Sequence, residues 1–398
     1  MTDWRRAPQG VVLSGGGAYA AYELGVMKAL FEGSCPSTFG EPLEPFVLTG
    51  TSAGALNASL IASLPEIPAA EALAYVESIW RNQVAARPGR CGNGIFRIRL
   101  DVLRWLEAAC VAEGDLGVTE FVRDSLFLAR DFAERAAHFA ESTESLGRRS
   151  LEFFNIASFA STEPFHRLVG QVIDGARIQA SSRLLLIAAT NWTTGRLQLF
   201  ENEHLSPEIA PLAVLASAAV PGFFPPVRIG DSVFVDGGIV MNTPLLPAIR
   251  AGAEVLHVIY LDPNPSVIPV RRLQNTASTL DRVLLTSKAN TINQDVEQAR
   301  RINDGLHLIE RWVAGGRGLR HAPRTLIEAV RGLLQEEEGR PSYRKITIHR
   351  YHPEDDLGGI TGILNVDLSN IDALIARGYD DALNHNCQEA KCVIPAYD

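Results

Sequence analysis

Short apolar runs alternate with longer helix-compatible stretches along nearly the whole chain. Runs at residues 10–13, 46–49, 183–189, 197–200, 233–235, 255–261 and 345–351 predict strands. The small-residue stretch 53–62 predicts a helix able to pack closely against a sheet. Strands alternating with helices predict an α/β fold, with a mostly parallel central sheet flanked by helices. Two segments, about 93–150 and 268–344, read as helical insertions, with helix-compatible stretches at 101–107, 131–141, 276–297 and 325–338 and a polar turn at 314–318. They serve either as a lid over a site or as ordinary covering helices. Strand-like runs occur on both sides of each insertion, so one catalytic domain over 8–385 is expected, with a tail at 386–398.

Two predicted strands end in glycine-rich turns that lead into helices. Ser14-Gly15-Gly16-Gly17 follows the first, and Gly50-Thr51-Ser52-Ala53-Gly54 follows the second. The second turn can hold Ser52 with its hydroxyl outward, its glycines placed where a Cβ would collide with backbone. The first can offer unpaired N–H groups at a helix start, where a developing oxyanion is stabilised. A dinucleotide loop is rejected. Ala20 interrupts the required glycine pattern, and the next strand ends in the serine turn instead of an acidic residue. A third strand ends in Asp236-Gly237-Gly238, preceded by the proline-broken segment 216–226 and followed by Asn242-Thr243-Pro244. Ser52 and Asp236, each at a strand end, would share the sheet's carboxyl edge, where open α/β sheets bind ligands.

In that order, Gly15-Gly16-Gly17, the Ser52 turn and Asp236-Gly237-Gly238 resemble the patatin-like lipid acyl hydrolases. Segment 216–226 is similar to the family's Ala-Ser-x-Ala-x-Pro-x-x-Phe-Pro-Pro block. Ala188-Ala189-Thr190-Asn191 with Thr194-Gly195 is similar to its Ala-Thr-Asp-x-x-Thr-Gly hairpin, and Asp367-Leu368-Ser369 with 374–382 to its closing helix. The likeness covers about residues 10–92, 151–262 and 345–385. It implies a three-layer α/β/α fold and a serine esterase of phospholipase A, lysophospholipase or esterase type. In that reading Ser52 is the nucleophile and Asp236 the general base and acid of a dyad working through an acyl-enzyme. The oxyanion hole would use N–H groups of Gly15, Gly16, Gly17 and Ala53, while Gly50, Gly54, Gly237 and Gly238 shape the turns. No cofactor and no metal is implied. Where the family usually reads Gly-Gly-Gly-x-Arg-Gly, this chain has Tyr19 and Ala20 in the last two places. Losing one oxyanion donor typically costs about 10²–10³ in rate, so the substitution is compatible with a slow enzyme.

Nine histidines leave a Ser-His-Asp triad open on composition. None sits in a glycine-bounded strand-end turn. His204 reads as solvated in a polar loop and His257 as a hydrogen-bonded core residue. A free Asp, titrating near ~3.9, is a weak base at neutrality. Partial burial among Val233, Phe234 and Val235 would raise the basicity of Asp236.

At 398 residues and 46% hydrophobic, the chain can bury a large core. A formal net charge of −9 argues against a nucleic-acid partner and against generic attachment to anionic membranes. The expected partner is a lipid or other acyl-ester substrate, reached through an apolar rim at 220–225 during transient membrane contact. No stretch is apolar enough to span a bilayer, and residues 1–6 lack the apolar core of a signal peptide. Cys35, Cys91, Cys110, Cys387 and Cys392 are irregularly spaced and resemble neither a disulfide framework nor a zinc site. Reduced thiols and a cytoplasmic location, peripheral to a membrane at most, follow as expectations. A thioesterase or small-ester hydrolase on the same dyad, and a low-activity scaffold, stand as alternatives.

Overall fold

The computed structural model describes residues 7–87, 92–99, 118–141, 160–261, 276–314, 343–355, 357–358 and 362–396. The first half runs β1 (Gln9–Leu13), α1 (Ala20–Phe31), β2 (Val47–Thr51), α2 (Ala53–Ala62) and α3 (Ala69–Ile79). A small antiparallel pair, β3 (Arg97–Ile98) and β4 (Ala160–Ser161), flanks α4 (Val118–Glu141). Next come α5 (Glu163–Val172), α6 (Gly175–Ala180), β5 (Leu184–Asn191), β6 (Arg196–Glu201), α7 (Ile209–Ser217), β7 (Val227–Ile229) and β8 (Ser232–Asp236). The chain closes with α8 (Leu245–Arg250), β9 (Val255–Ile259), α9 (Thr276–Ala314), β10 (Thr347–Tyr351) and α10 (Leu368–Leu383).

The main sheet has the order β10-β9-β1-β2-β5-β8-β7, with β6 also paired to β5. The five strands from β10 to β5 are mutually parallel, and β6, β8 and β7 join antiparallel. The central strands are buried on both faces, as continuous apolar runs require. Side chains alternate between two cores because successive Cβ atoms point to opposite faces. Val11, Leu13, Leu48 and Ile187 meet α1, α2, α3, α7 and α10 on one side. Val12, Val47, Leu186, Leu256 and Val258 meet α8 and α9 on the other. The result is a three-layer α/β/α fold.

Helix α9 supplies Ile292, Val296 and Ala299 to the second core, so this part of the 268–344 segment covers the sheet. Stretches 101–107 and 325–338, most of the turn at 314–318, and Cys91 and Cys110 lie outside the described residues. Among the described residues no helix is long and apolar enough to cross a membrane.

Candidate active site

Strand β2 turns sharply into α2 at Ser52, whose φ of 56° and ψ of −123° lie in a region that L side chains rarely adopt. Holding a non-glycine residue there costs about 1–3 kcal/mol, which the surrounding packing must offset. The neighbouring glycines permit it. A Cβ on Gly50 would lie 2.5 Å from the carbonyl carbon of Gly54, and one on Gly54 would lie 2.7 Å from the Ser14 carbonyl oxygen. The turn therefore folds onto itself and against the end of β1, and only hydrogen fits at both contacts. Behind it, Trp80 Nε1 donates to Asn57 Oδ1 (2.8 Å), and Asn57 Nδ2 donates to Glu23 Oε2 (3.0 Å). This buried chain ties α2 to α1 and the end of α3, and burial pushes the Glu23 carboxyl well above its usual range.

Asp236 arrives from the opposite direction. β8 runs antiparallel to β5, pairing Asp236 with Ala189, while β2 pairs Thr51 with Ala188. The two strands thus occupy the same edge of β5 end to end, and the serine turn and the carboxylate meet where one stops and the other begins. The sequence expectation of a shared carboxyl edge holds for Ser52 alone, because the strand carrying Asp236 is antiparallel to the core of the sheet. The meeting point is the same.

Asp236 is clamped on every side but one. Its N–H donates to Ala219 O (2.9 Å), Thr190 Oγ1 donates to its carbonyl (2.9 Å), and Gly238 N–H donates to Oδ1 (2.7 Å). Oδ2 is buried without a hydrogen-bond partner of ordinary geometry. The Ser52 hydroxyl nevertheless lies near enough to stabilise the charged carboxylate. Such contacts are commonly loose before substrate binds. Asp236 is 6% exposed and Ser52 7%. Burial raises the Asp236 pKa, opposed in turn by the Lys288 charge, the Ser52 hydroxyl and the Gly238 N–H. The net shift is upward, toward a better base at neutral pH.

The glycine loop lies beside this pair. A Cβ on Gly15 would fall 2.8 Å from Asn242 Oδ1 and 3.0 Å from Ser52 Cβ, so glycine is what lets the loop approach the serine. One correction follows. The Gly15 N–H donates to Asn242 O (3.1 Å), and Asn242 Nδ2 returns a bond to Gly15 O (3.1 Å). Gly15 is therefore a fastening point and not an oxyanion donor. The N–H groups of Gly16 and Gly17 have no backbone acceptor among the described residues. That of Ala53, first in α2, has no intrahelical partner. These three can face a developing negative charge. Tyr19 is buried, and its hydroxyl packs on Gly362.

Sequence reasoning missed three residues. Ser217 accepts the Ser52 N–H (2.8 Å) and donates to Ala188 O (2.7 Å), bracing the turn against β5. Asn242 braces the glycine loop. Both lie in segments noted beside the Asp236 turn, but only the fold assigns these bonds. Lys288, on α9, lines a narrow cavity with Gly238 and Asn242, and its charge acts on Asp236. No local pattern marks it. The histidine expectations hold. His204 is half-exposed and bonded to the Glu201 N–H, and both His257 nitrogens are engaged, with Tyr351 Oη and Gln9 Oε1. Among the described residues no histidine hydrogen bonds to Ser52 or Asp236.

A three-layer α/β/α fold thus brings a strained serine turn and a buried carboxylate together on one edge of β5. The chain belongs to the patatin-like phospholipase family, whose profile matches residues 11–249 and so contains the glycine loop, Ser52 and Asp236. Over 106 residues it is 35% identical to a cGAMP-activated phospholipase of Pseudomonas aeruginosa, a match covering 25% of this chain and 32% of that protein. The chain thus spans about a third of that relative's length. Among solved structures it is similar to VipD from Legionella pneumophila at 16% identity and a TM-score of 0.36, covering 95% of this chain and 66% of that one.

Proposed function

We propose that this protein hydrolyses acyl esters of lipids, phospholipids foremost, through a Ser52–Asp236 dyad. The observation that carries the reading is the buried, otherwise unpartnered Oδ2 of Asp236 beside a serine held at positive φ. Asp236 takes the Ser52 proton as Oγ bonds the ester carbonyl carbon. The carbonyl oxygen becomes an oxyanion facing the N–H groups of Gly16, Gly17 and Ala53. Collapse breaks the bond to the leaving alcohol, which receives the proton from Asp236. A water, deprotonated by the same carboxylate, then attacks the acyl-enzyme. Ser52 departs with that proton and the fatty acid is released.

Access for an apolar chain is supported by the rim. Ala219, bonded to the Asp236 N–H, leads into an exposed loop carrying Phe223, and Ile239 and Val240 lie exposed just after Gly238. These side chains flank Asp236 on both sides in sequence and suit transient contact with a bilayer.

A fluorophosphonate probe should label the wild type and spare Ser52→Ala, and phospholipid vesicles should be hydrolysed only by the wild type. Persistent labelling of Ser52→Ala would overturn the nucleophile. Turnover of acyl-CoA exceeding that of phospholipids and monoacylglycerols would replace the lipid-ester reading with a thioesterase.

A further inference from the structure

At the far edge of the sheet, four potential metal ligands converge that take no part in ester chemistry. His349 comes from β10, His385 lies just past α10, and Cys387 and Cys392 belong to the C-terminal segment. Their ligand atoms all lie within 4.8 Å of one another. Cys387 Sγ is 3.4 Å from His349 Nδ1 and 3.4 Å from His385 Nε2, and Cys392 Sγ is 3.5 Å from His385 Nε2. A tetrahedral zinc with Zn–S near ~2.3 Å and Zn–N near ~2.0–2.1 Å separates its sulfur and nitrogen ligands by about 3.6 Å. These three sulfur–nitrogen edges agree with that tetrahedron. Two thiolates and two imidazoles are the donor set that zinc takes in closed sites, and their charges sum to that of the ion with opposite sign.

Packing and backbone bonds hold the four residues in place. The His349 ring stacks on His257 at 5.2 Å, and the His385 ring lies against Tyr351 at 4.5 Å. The Arg350 N–H points at Cys392 Sγ (3.4 Å). The Cys392 N–H donates to Cys387 O (2.9 Å), closing the loop that brings the two sulfurs to one place. Val393 then exchanges two backbone bonds with Ile348, at 2.8 and 2.9 Å.

We infer that His349, His385, Cys387 and Cys392 bind one structural Zn²⁺ that staples the C-terminal segment across the outer edge of β10. All four positions are filled by protein, which leaves no place for substrate, and strands β9 and β1 lie between this edge and β2. Binding displaces the two thiol protons, and the zinc covers a sheet edge that would otherwise invite pairing with another chain.

The full chain, purified under reducing conditions without chelating resin, should carry about one zinc per chain by mass spectrometry of the metal. Cobalt exchange should produce the visible bands of a tetrahedral thiolate complex, a readout that needs no variant to fold. His385→Asn and Cys392→Ser should each lower zinc content at least about tenfold. Chelation should lower the unfolding midpoint of the wild type and leave that of Cys392→Ser in place. Wild type that holds no zinc as isolated and none after anaerobic reconstitution would overturn the site. So would a Cys387–Cys392 disulfide found by intact mass in protein kept under reductant, or cobalt bound with octahedral bands.

Discussion

The β2–β8 junction and the β10 edge lie on the same sheet and are built on opposite plans. At the junction, each functional residue is shaped by its chain neighbours. Gly50 and Gly54 flank Ser52, and Gly238 fastens Asp236 from two positions away. At the edge, four ligands arrive from a strand, a helix end and a tail, and no flanking residue announces them. A nucleophile at positive φ needs particular small residues beside it in sequence, because the steric conflict is local. A ligand set needs only that four side chains reach one point, which ordinary packing can supply.

Substitutions at the junction should test how far the two regions are independent. The largest effect belongs to Ser52→Ala, which should lower turnover of a medium-chain p-nitrophenyl ester on the order of 10⁴-fold or more while bound zinc stays unchanged. Asp236→Asn should cost on the order of 10³-fold and at the same time raise the unfolding midpoint. The folded pKa of Asp236 lies above its ordinary value, so the folded state holds the proton more tightly than the unfolded chain. Stability is therefore lost as pH rises from the ordinary carboxylate value through the raised one. The advantage of the Asn variant should widen over that window and then level off, as thermal melts across pH can check. A midpoint below wild type at neutral pH would mean that the clamp from Gly238 and the Lys288 charge outweigh the burial cost.

Ser217→Ala removes the acceptor of the Ser52 N–H and leaves that buried donor unpaired, at about 1–3 kcal/mol. We expect a fall in kcat of about ten- to a hundredfold with KM nearly constant, because the turn is displaced and the rim is not. A rise in KM as large as the fall in kcat would point instead to a collapsed pocket. The smallest effect is that of Lys288→Met. Its positive charge holds the Asp236 pKa down, so its removal should move the acid limb of kcat/KM to higher pH. Turnover at neutral pH should change less than about tenfold, since Lys288 is partly solvated. A limb that moves the other way would mean that Lys288 does not act on Asp236 through its charge.

Much of the junction was legible because its constraints are short-range. Both turns, and the expectation that apolar neighbours bury Asp236, follow from residues within a few positions of the site. The role of Gly15 was not. Any of the three loop glycines can donate to an oxyanion in principle, and only the bond from Gly15 to Asn242, far along the chain, removes one of them. Ser217 was hidden for the same reason, because its hydroxyl bridges two strands that sequence alone does not place side by side.

Strand-length apolar runs and their glycine-bounded ends were enough to determine the α/β layering, the serine turn and the carboxylate turn. Each rests on backbone sterics and side-chain alternation that operate over a handful of residues. Tertiary structure alone decided that β8 meets β2 head to head along β5, which amides remain free, that the charge of a lysine on α9 acts on Asp236, and that two cysteines and two histidines share one corner. Those outcomes depend on distances between segments far apart in the chain, and no local pattern encodes such distances.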